Sequence, residues 1–341
     1  MDGMVVWAGG GGLVIGLLFG LVMQRSRFCM VAAVSNMMLV RDYRQTQAFL
    51  AAWAIAIAGT ALLESAGYVA ISESAYRVAR IDWLGATGGG LMFGFGAVLA
   101  GGCATRTLVN TAEGHLGGLL ALTTMIIFSS VTQYGSLEPV RVALLELTAV
   151  QPGTDDSGIA MLLHVSSWLA GIAVAIICLA CIRLLGSVSE NRAIILAGGL
   201  IGLLVVLGWF LTGFIAQDAF TSTVPTSAKI TGPLARMNYS LVTGSGFPFS
   251  FSIAFVTGVF AGAVTGALMS GTFRWKRPDP ALIPHYLVGG ALMGTGATLA
   301  GGCNIGQGTT GMSTLSLTSI LAALAIFTGA VLGVKWWEQH A

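Results

Sequence analysis

Stretches of about 20 apolar residues recur along this chain, separated by short polar breaks, and a helix needs about that length to cross the hydrocarbon core of a bilayer. Nine such stretches are expected, at roughly 5–23, 46–70, 84–101, 115–134, 158–185, 192–212, 250–271, 284–302 and 314–336. Three segments between them are too short to span yet too apolar for plain loops: 26–40 (SRFCMVAAVSNMMLV), 103–113 (CATRTLVNTAE) and 303–313 (CNIGQGTTGMS). A fourth, 213–248, is rich in Ser and Thr and holds Pro225 and Pro233. Unpaired backbone groups are costly in lipid, so these pieces are expected as broken or re-entrant helices buried inside a bundle. The pattern predicts an all-α integral membrane protein with a single transmembrane domain over residues 1–341.

Composition agrees. Charged residues make up 9% of the 341 and apolar ones 55%, with a mean hydropathy of +0.84; a soluble domain carries about 25% charged residues. The net charge of +2 and the lack of any basic cluster with interleaved aromatics argue against nucleic acid as a partner. Asp2 and no basic residue precede the first apolar run, so that run is expected to be a retained helix and not a cleaved leader. Of the Lys and Arg residues, eleven fall on the side reached after the first span, among them Arg25, Arg27, Arg41 and Arg44. The other side holds five: Arg77, Arg80, Arg141, Lys229 and Arg236. The basic side is expected to be cytoplasmic, which puts the N-terminus outside and the C-terminus inside.

The sequence also repeats itself. Residues 88–103 (GGGLMFGFGAVLAGGC) match 288–303 (VGGALMGTGATLAGGC) at ten of sixteen positions, and GGLVIGLLFG (11–20) has a weaker echo in GGLIGLLVVLG (198–208). Two related halves are therefore expected, about 5–134 and about 192–336, separated by a linker helix at about 158–185. An odd number of spans between the repeats turns the second half upside down. Inverted repeats with interrupted helices belong to transport proteins, whose sites lie at the repeat interface. Tight helix packing alone accounts for Gly94 and Gly96, but it does not require a cysteine at the break in both halves.

Cys29, Cys103 and Cys303 each sit at such a break. Gly101 and Gly102, and likewise Gly301 and Gly302, let the backbone come close to a ligand. A short helix starting after each cysteine would aim free N–H groups at an anion, and a thiol adds a soft, weak donor. This suits a small sulfur-bearing anion better than phosphate, which recruits Arg or Lys. Asn304 follows Cys303 and joins the expected binding residues. Arg106 is the only fixed charge close in sequence to either turn; it either attracts the anion or snorkels to the interface.

Other candidates are weaker. Cys178 and Cys181 form CLAC in an apolar helix and are read as small packing residues. The histidines (His115, His164, His285 and His340) sit mostly at span ends, so no metal site and no cofactor is expected. Glu64 is assigned to the interface at the end of the second span. A membrane sulfurtransferase or thiol oxidoreductase remains an alternative function. It needs an activated thiolate, and no Lys or His adjoins Cys103 or Cys303 in sequence.

The turns AGGCATRTL and AGGCNIGQG, with RFC at 27–29, resemble the YeeE/YedE sulphur-transport membrane family, whose members include TsuA-type thiosulfate transporters. The resemblance runs over essentially the whole chain. It implies a bacterial inner-membrane protein with an hourglass-like bundle of nine spans, taking up thiosulfate along a relay of thiols. By motif, Cys303 would be the outer station, Cys103 the central one and Cys29 the inner one. It also implies a separate cytoplasmic sulfur carrier of the TusA/YeeD kind as partner. Some relatives are linked to selenium or other sulfur species, which leaves the substrate open within that class.

Overall fold

A computed structural model describes residues 2–150, 157–162, 165–216, 224–246 and 250–340. Those residues form helices and connecting loops, with no β-sheet among them. Eight helical stretches among them are long and apolar enough to cross a membrane: Trp7–Leu39, Arg44–Ser65, Gly85–Ala112, Leu116–Tyr134, Ser167–Leu184, Arg192–Ile215, Phe251–Met269 and Leu317–His340. The chain is a multi-pass membrane protein. The stretch expected as a further span at 284–302 is a helix, Ile283–Leu299, of 17 residues. At about 1.5 Å per residue it rises about 26 Å, at the lower limit of the length that crosses the hydrocarbon core.

In chain order the helices are α1 (Asp2–Ser26), α2 (Met30–Leu39), α3 (Arg44–Ser65), α4 (Gly90–Leu99), α5 (Ala104–Ala112), α6 (Leu116–Tyr134), α7 (Glu138–Thr148), α8 (Ile159–Leu162), α9 (Ser167–Leu184), α10 (Arg192–Phe210), α11 (Thr231–Thr243), α12 (Phe251–Met269), α13 (Ile283–Leu299) and α14 (Leu317–His340). Three π-helical stretches, Gly85–Gly89, Leu211–Ile215 and Gly306–Gly311, lead into or out of them. The short segments expected at 26–40, 103–113 and 303–313 are α2, α5 and the last of these π stretches. The segment 213–248 contains α11, while its residues 217–223 and 247–248 lie outside those described, as does His164.

Packing follows an exchange between the halves. Helix α1 lies on α12 and α10 lies on α3; α4 lies on α14 and α13 lies on α6; α4 and α13 cross each other. Small residues make these crossings possible. A Cβ at Gly16 would stand 2.1 Å from the Phe255 carbonyl oxygen, and one at Gly198 2.1 Å from that of Ala48. Where α4 meets α13 the contact is reciprocal: a Cβ at Gly96 would stand 2.8 Å from the Gly289 oxygen, and one at Gly296 2.6 Å from that of Gly89. Any side chain there would push the helices apart.

Large side chains fill what the glycines leave, with Phe19, Phe28, Phe93, Phe255, Trp209 and Met293 fully buried. Helix α9 is peripheral. It rests on α3 through Gly171, Ala175 and Cys178, and it exposes Leu169, Ile172, Ile176 and Leu179, as a lipid-facing helix does. Isolated bridges pair Ile81 with Val150, Gly158 with Ser316, and His115 with Lys276. Each pair joins loops that the order of the helices brings to the same end of the bundle.

Candidate substrate path

The two glycine-glycine-cysteine turns both pass through a left-handed glycine. Helix α4 ends in Gly101 at φ +70°, and α13 ends in Gly301 at φ +73°. A left-handed residue closes a helix cheaply only when it lacks a Cβ. The chain then enters Cys103 or Cys303. The Cys103 carbonyl accepts the Thr107 N–H at 2.8 Å, and the Cys303 carbonyl accepts the Gln307 N–H at 2.7 Å. Cys29 repeats the arrangement: its carbonyl accepts the Ala33 N–H at 2.9 Å as α2 begins. Each of the three cysteines thus sits where a short helical segment starts. Neither the Cys29 nor the Cys103 thiol caps its helix, so first-turn N–H groups stay free to meet an anion.

All three thiols are buried and share one cluster with Phe28, Phe93, Met293 and Ile305. None is in a disulfide. The Cys29 and Cys103 sulfurs lie 3.9 Å apart, within reach of a weak S–H···S contact. Residues 74 positions apart are thereby brought into contact.

Several polar atoms around these turns have no hydrogen-bond partner: both side-chain amide atoms of Asn304, the Thr105 hydroxyl, the Tyr76 hydroxyl and Arg106 Nη1. Buried polar groups are ordinarily paired because leaving them bare is costly. Such a cluster beside the three cysteines is what a transient polar ligand would satisfy. Cavities adjoin both turns. One of about 300 Å³ adjoins Gly101, Val31, Tyr286 and Trp337. A second, of about 230 Å³, adjoins Gly301, Gln307, Tyr76, Arg80 and Arg141. A third, of about 140 Å³, reaches Asn304 between Phe49, Trp53 and Ile326.

Arg106 does not snorkel. Its stem lies against Gly102, and its Nη2 is 3.6 Å from Glu113 Oε2, both side chains being largely buried. Gln24 Nε2 donates to Glu113 Oε1 at 3.1 Å and reaches Ser270 and Thr272 as well. The expected anion-attracting charge is therefore already compensated by a carboxylate. Nearby, His115 opens α6; burial, then Lys276, hold its imidazole below the usual range. At the second turn Gln307 folds back: its Nε2 donates to the Ala300 carbonyl at 2.8 Å, and Ser319 Oγ donates to its Oε1 at 2.6 Å.

Two neighbours of the second turn have no site role along the sequence. Tyr76 is buried, with its hydroxyl 3.9 Å from where a Cβ at Gly306 would stand. Burial, reinforced by the Cys303 thiol, pushes its phenol well above the ordinary range. Lys229 Nζ lies 4.8 Å from the Tyr76 ring centroid. Sequence proximity had left Arg106 as the only charge near a turn; the folded chain brings Lys229 there too. The signal available was a lone lysine in the polar break 224–230. Glu64 is ion-paired with the buried Arg77. Cys178 packs against Ala54 and Ala175, and Cys181 is half-buried. Among the described residues, no group of three His, Cys, Asp or Glu side chains could hold a metal.

A family described as Sulphur transport matches the chain over residues 25–332. The chain is 32% identical over 310 residues to "Thiosulfate transporter TsuA" of Escherichia coli (strain K12), covering 87% of this chain and 85% of that protein. It is 26% identical over 341 residues to "Thiosulfate transporter TsuA" of Spirochaeta thermophila, covering 95% and 97%. A shorter match, 31% over 106 residues, is to "Probable transporter YedE" of Escherichia coli (strain K12), covering 30% of this chain and 24% of that protein.

Proposed function

This chain belongs to the Sulphur transport family, and from that premise we propose that it carries thiosulfate, or a closely related sulfur oxyanion, across the bacterial inner membrane along a path of thiols. The observation that carries this reading is the pair of buried sulfurs 3.9 Å apart at the starts of two short helices. Cys303, in the same buried cluster, is the outer station, Cys103 the central one and Cys29 the inner one. The anion's terminal sulfur accepts a weak S–H bond at each, while backbone N–H groups take its oxygens. No covalent step is involved, so the protein is a conduit and not an enzyme. The paired exchange of helices between the halves supports an inverted repeat; with α13 as the ninth span, the distribution of Lys and Arg puts the N-terminus outside and the C-terminus in the cytoplasm, where a separate sulfur carrier receives the anion.

Uptake of radiolabelled thiosulfate by a strain lacking its own uptake system tests this. Cys103→Ala and Cys303→Ala should each abolish uptake, and the Ser variants should keep part of it because a hydroxyl still donates. Undiminished uptake by either Ala variant would sink the relay. A stoichiometric sulfur adduct on a cysteine, seen by mass spectrometry, would replace it with a sulfurtransferase.

A further inference from the structure

Lys229 lies on an extended segment, residues 224–230, that leads into α11. Two hydrogen bonds clamp this segment. Ser227 Oγ donates to the Val205 carbonyl at 2.6 Å, and Thr310 Oγ1 donates to the Ala228 carbonyl at 2.8 Å. The second bond ties Lys229's neighbour to Gly306–Gly311, the stretch that follows Cys303. The ammonium then rests over the Tyr76 ring, and that ring stands edge-on to Trp209 at 6.1 Å. Trp209 in turn donates to Ser313 Oγ at 3.1 Å. The cation and the phenol are both held from the Cys303 side of the molecule.

Neither group has the partner its chemistry calls for. No carboxylate pairs with Lys229 among the described residues, and the Tyr76 hydroxyl is buried with no hydrogen bond. Burial alone pulls the Lys229 ammonium down to about 8. A cation–π contact contributes about 0.5–1 kcal/mol at an exposed site, and it gives no role to the orphan hydroxyl. An anion seated between the two would offset both costs at once.

We propose that Lys229 and the Tyr76 hydroxyl form the outer anion-binding site of this protein, taking a small sulfur oxyanion and presenting it to Cys303. The proposal rests on the transport reading above and adds the charge that reading lacks. The first turn holds Arg106 already matched to Glu113, whereas the second turn draws an unmatched cation from another segment.

Calorimetric titration of the purified full-length chain with thiosulfate tests it. At pH 7, Lys229→Met should weaken binding at least about thirtyfold, as loss of a buried charge partner does. Lys229→Arg should stay within about threefold of the parent. Tyr76→Phe keeps the ring and its cation–π contact, so a purely structural role predicts no change; loss of a bond to a charged ligand predicts about a tenfold drop. The parent should also lose about tenfold in affinity from pH 7 to pH 9 as the ammonium deprotonates. Lys229→Arg should lose less. Tyr76 stays protonated in that range, and the Cys303 thiol is common to both proteins, so the difference reports Lys229.

Should Lys229→Met melt early, the folded pair Lys229→Arg and Tyr76→Phe decides by itself. Parent-like affinity in Tyr76→Phe together with an unchanged pH profile in Lys229→Arg overturns the proposal. Thiosulfate binding that ignores Lys229 but vanishes in Cys303→Ala overturns this site and leaves the thiol path standing. A parent that binds sulfate or selenite but not thiosulfate, and loses it in Lys229→Met, keeps this site and overturns the thiosulfate reading. A parent that binds none of these anions overturns both.

Discussion

After Cys103 the chain continues as the regular helix α5, whereas after Cys303 it runs through a turn into the π stretch Gly306–Gly311. The approach to both cysteines is the same, through a left-handed glycine at Gly101 or Gly301. The exit sets the electrostatics. Three residues past Cys103, α5 presents Arg106, which lies 3.6 Å from Glu113 on the same helical run. Three residues past Cys303 stands Gly306, with no side chain to carry charge, and the next residue, Gln307, is spent on bonds to Ala300 and Ser319. A repeated backbone thus frames two different fields, one internally neutralised and one open to a cation from elsewhere.

The largest expected effect comes from unbalancing the first turn. Glu113→Gln leaves Arg106 buried without its carboxylate and should cost about 3 kcal/mol in unfolding measurements. Adding Arg106→Gln should recover more than half of that. A Glu113→Gln chain as stable as the parent would show that the pair compensates nothing.

Alanine at the two left-handed glycines sharpens the backbone side of the comparison. Each should lose about 1–2 kcal/mol to the positive φ. At Gly301 the new Cβ would also stand 2.9 Å from Gln307 Nε2, while at Gly101 the nearest atom, on Tyr286, is 3.9 Å away. Gly301→Ala should therefore be the worse by about 1 kcal/mol, as the Gln307 bond to Ala300 yields. Equal losses would mean that Gln307 shifts freely.

Position four after each cysteine gives a smaller contrast. Gln307→Leu strips the Ala300 carbonyl and the Ser319 hydroxyl of a partner and should cost about 2 kcal/mol. Thr107→Val removes one bond, to the Gly102 carbonyl at 3.1 Å, and should cost about 1 kcal/mol. The smallest effect concerns His115. Its imidazole is held below its unfolded value, so the unfolded chain takes up the proton first as pH falls. The neutral form's contribution is intact above the unfolded value near 6.5 and is lost as pH drops through the lower folded one. Melting between pH 7 and pH 5 should decline slightly less in His115→Gln than in the parent.

Much of this was legible along the chain. The spans could be read because apolar runs of about 20 residues have one economical conformation in lipid. Breaks at Cys29, Cys103 and Cys303 could be read because Gly-Gly and short polar runs interrupt those helices locally. The expected bounds 284–302 exceed the 17-residue α13 because Ala300, Gly301 and Gly302 are apolar enough to pass for helix. Only the left-handed Gly301 ends it at Leu299. The compensation of Arg106 was harder to see. Glu113 is seven residues away, which puts both on one face of α5, but the Gln24 that orients the carboxylate comes from α1.

By itself, the sequence determined a helical membrane chain, two matching glycine-glycine-cysteine turns and three cysteines placed at helix breaks. These are consequences of residue type and spacing within a few turns of backbone. Tertiary structure alone decided that Cys29 comes within 3.9 Å of Cys103 and that Lys229 and Tyr76 meet beside the Cys303 turn. Those meetings join segments from 74 to about 230 residues apart. Helix crossings of small residues set such distances, and the crossing that forms depends on how every other helix is packed.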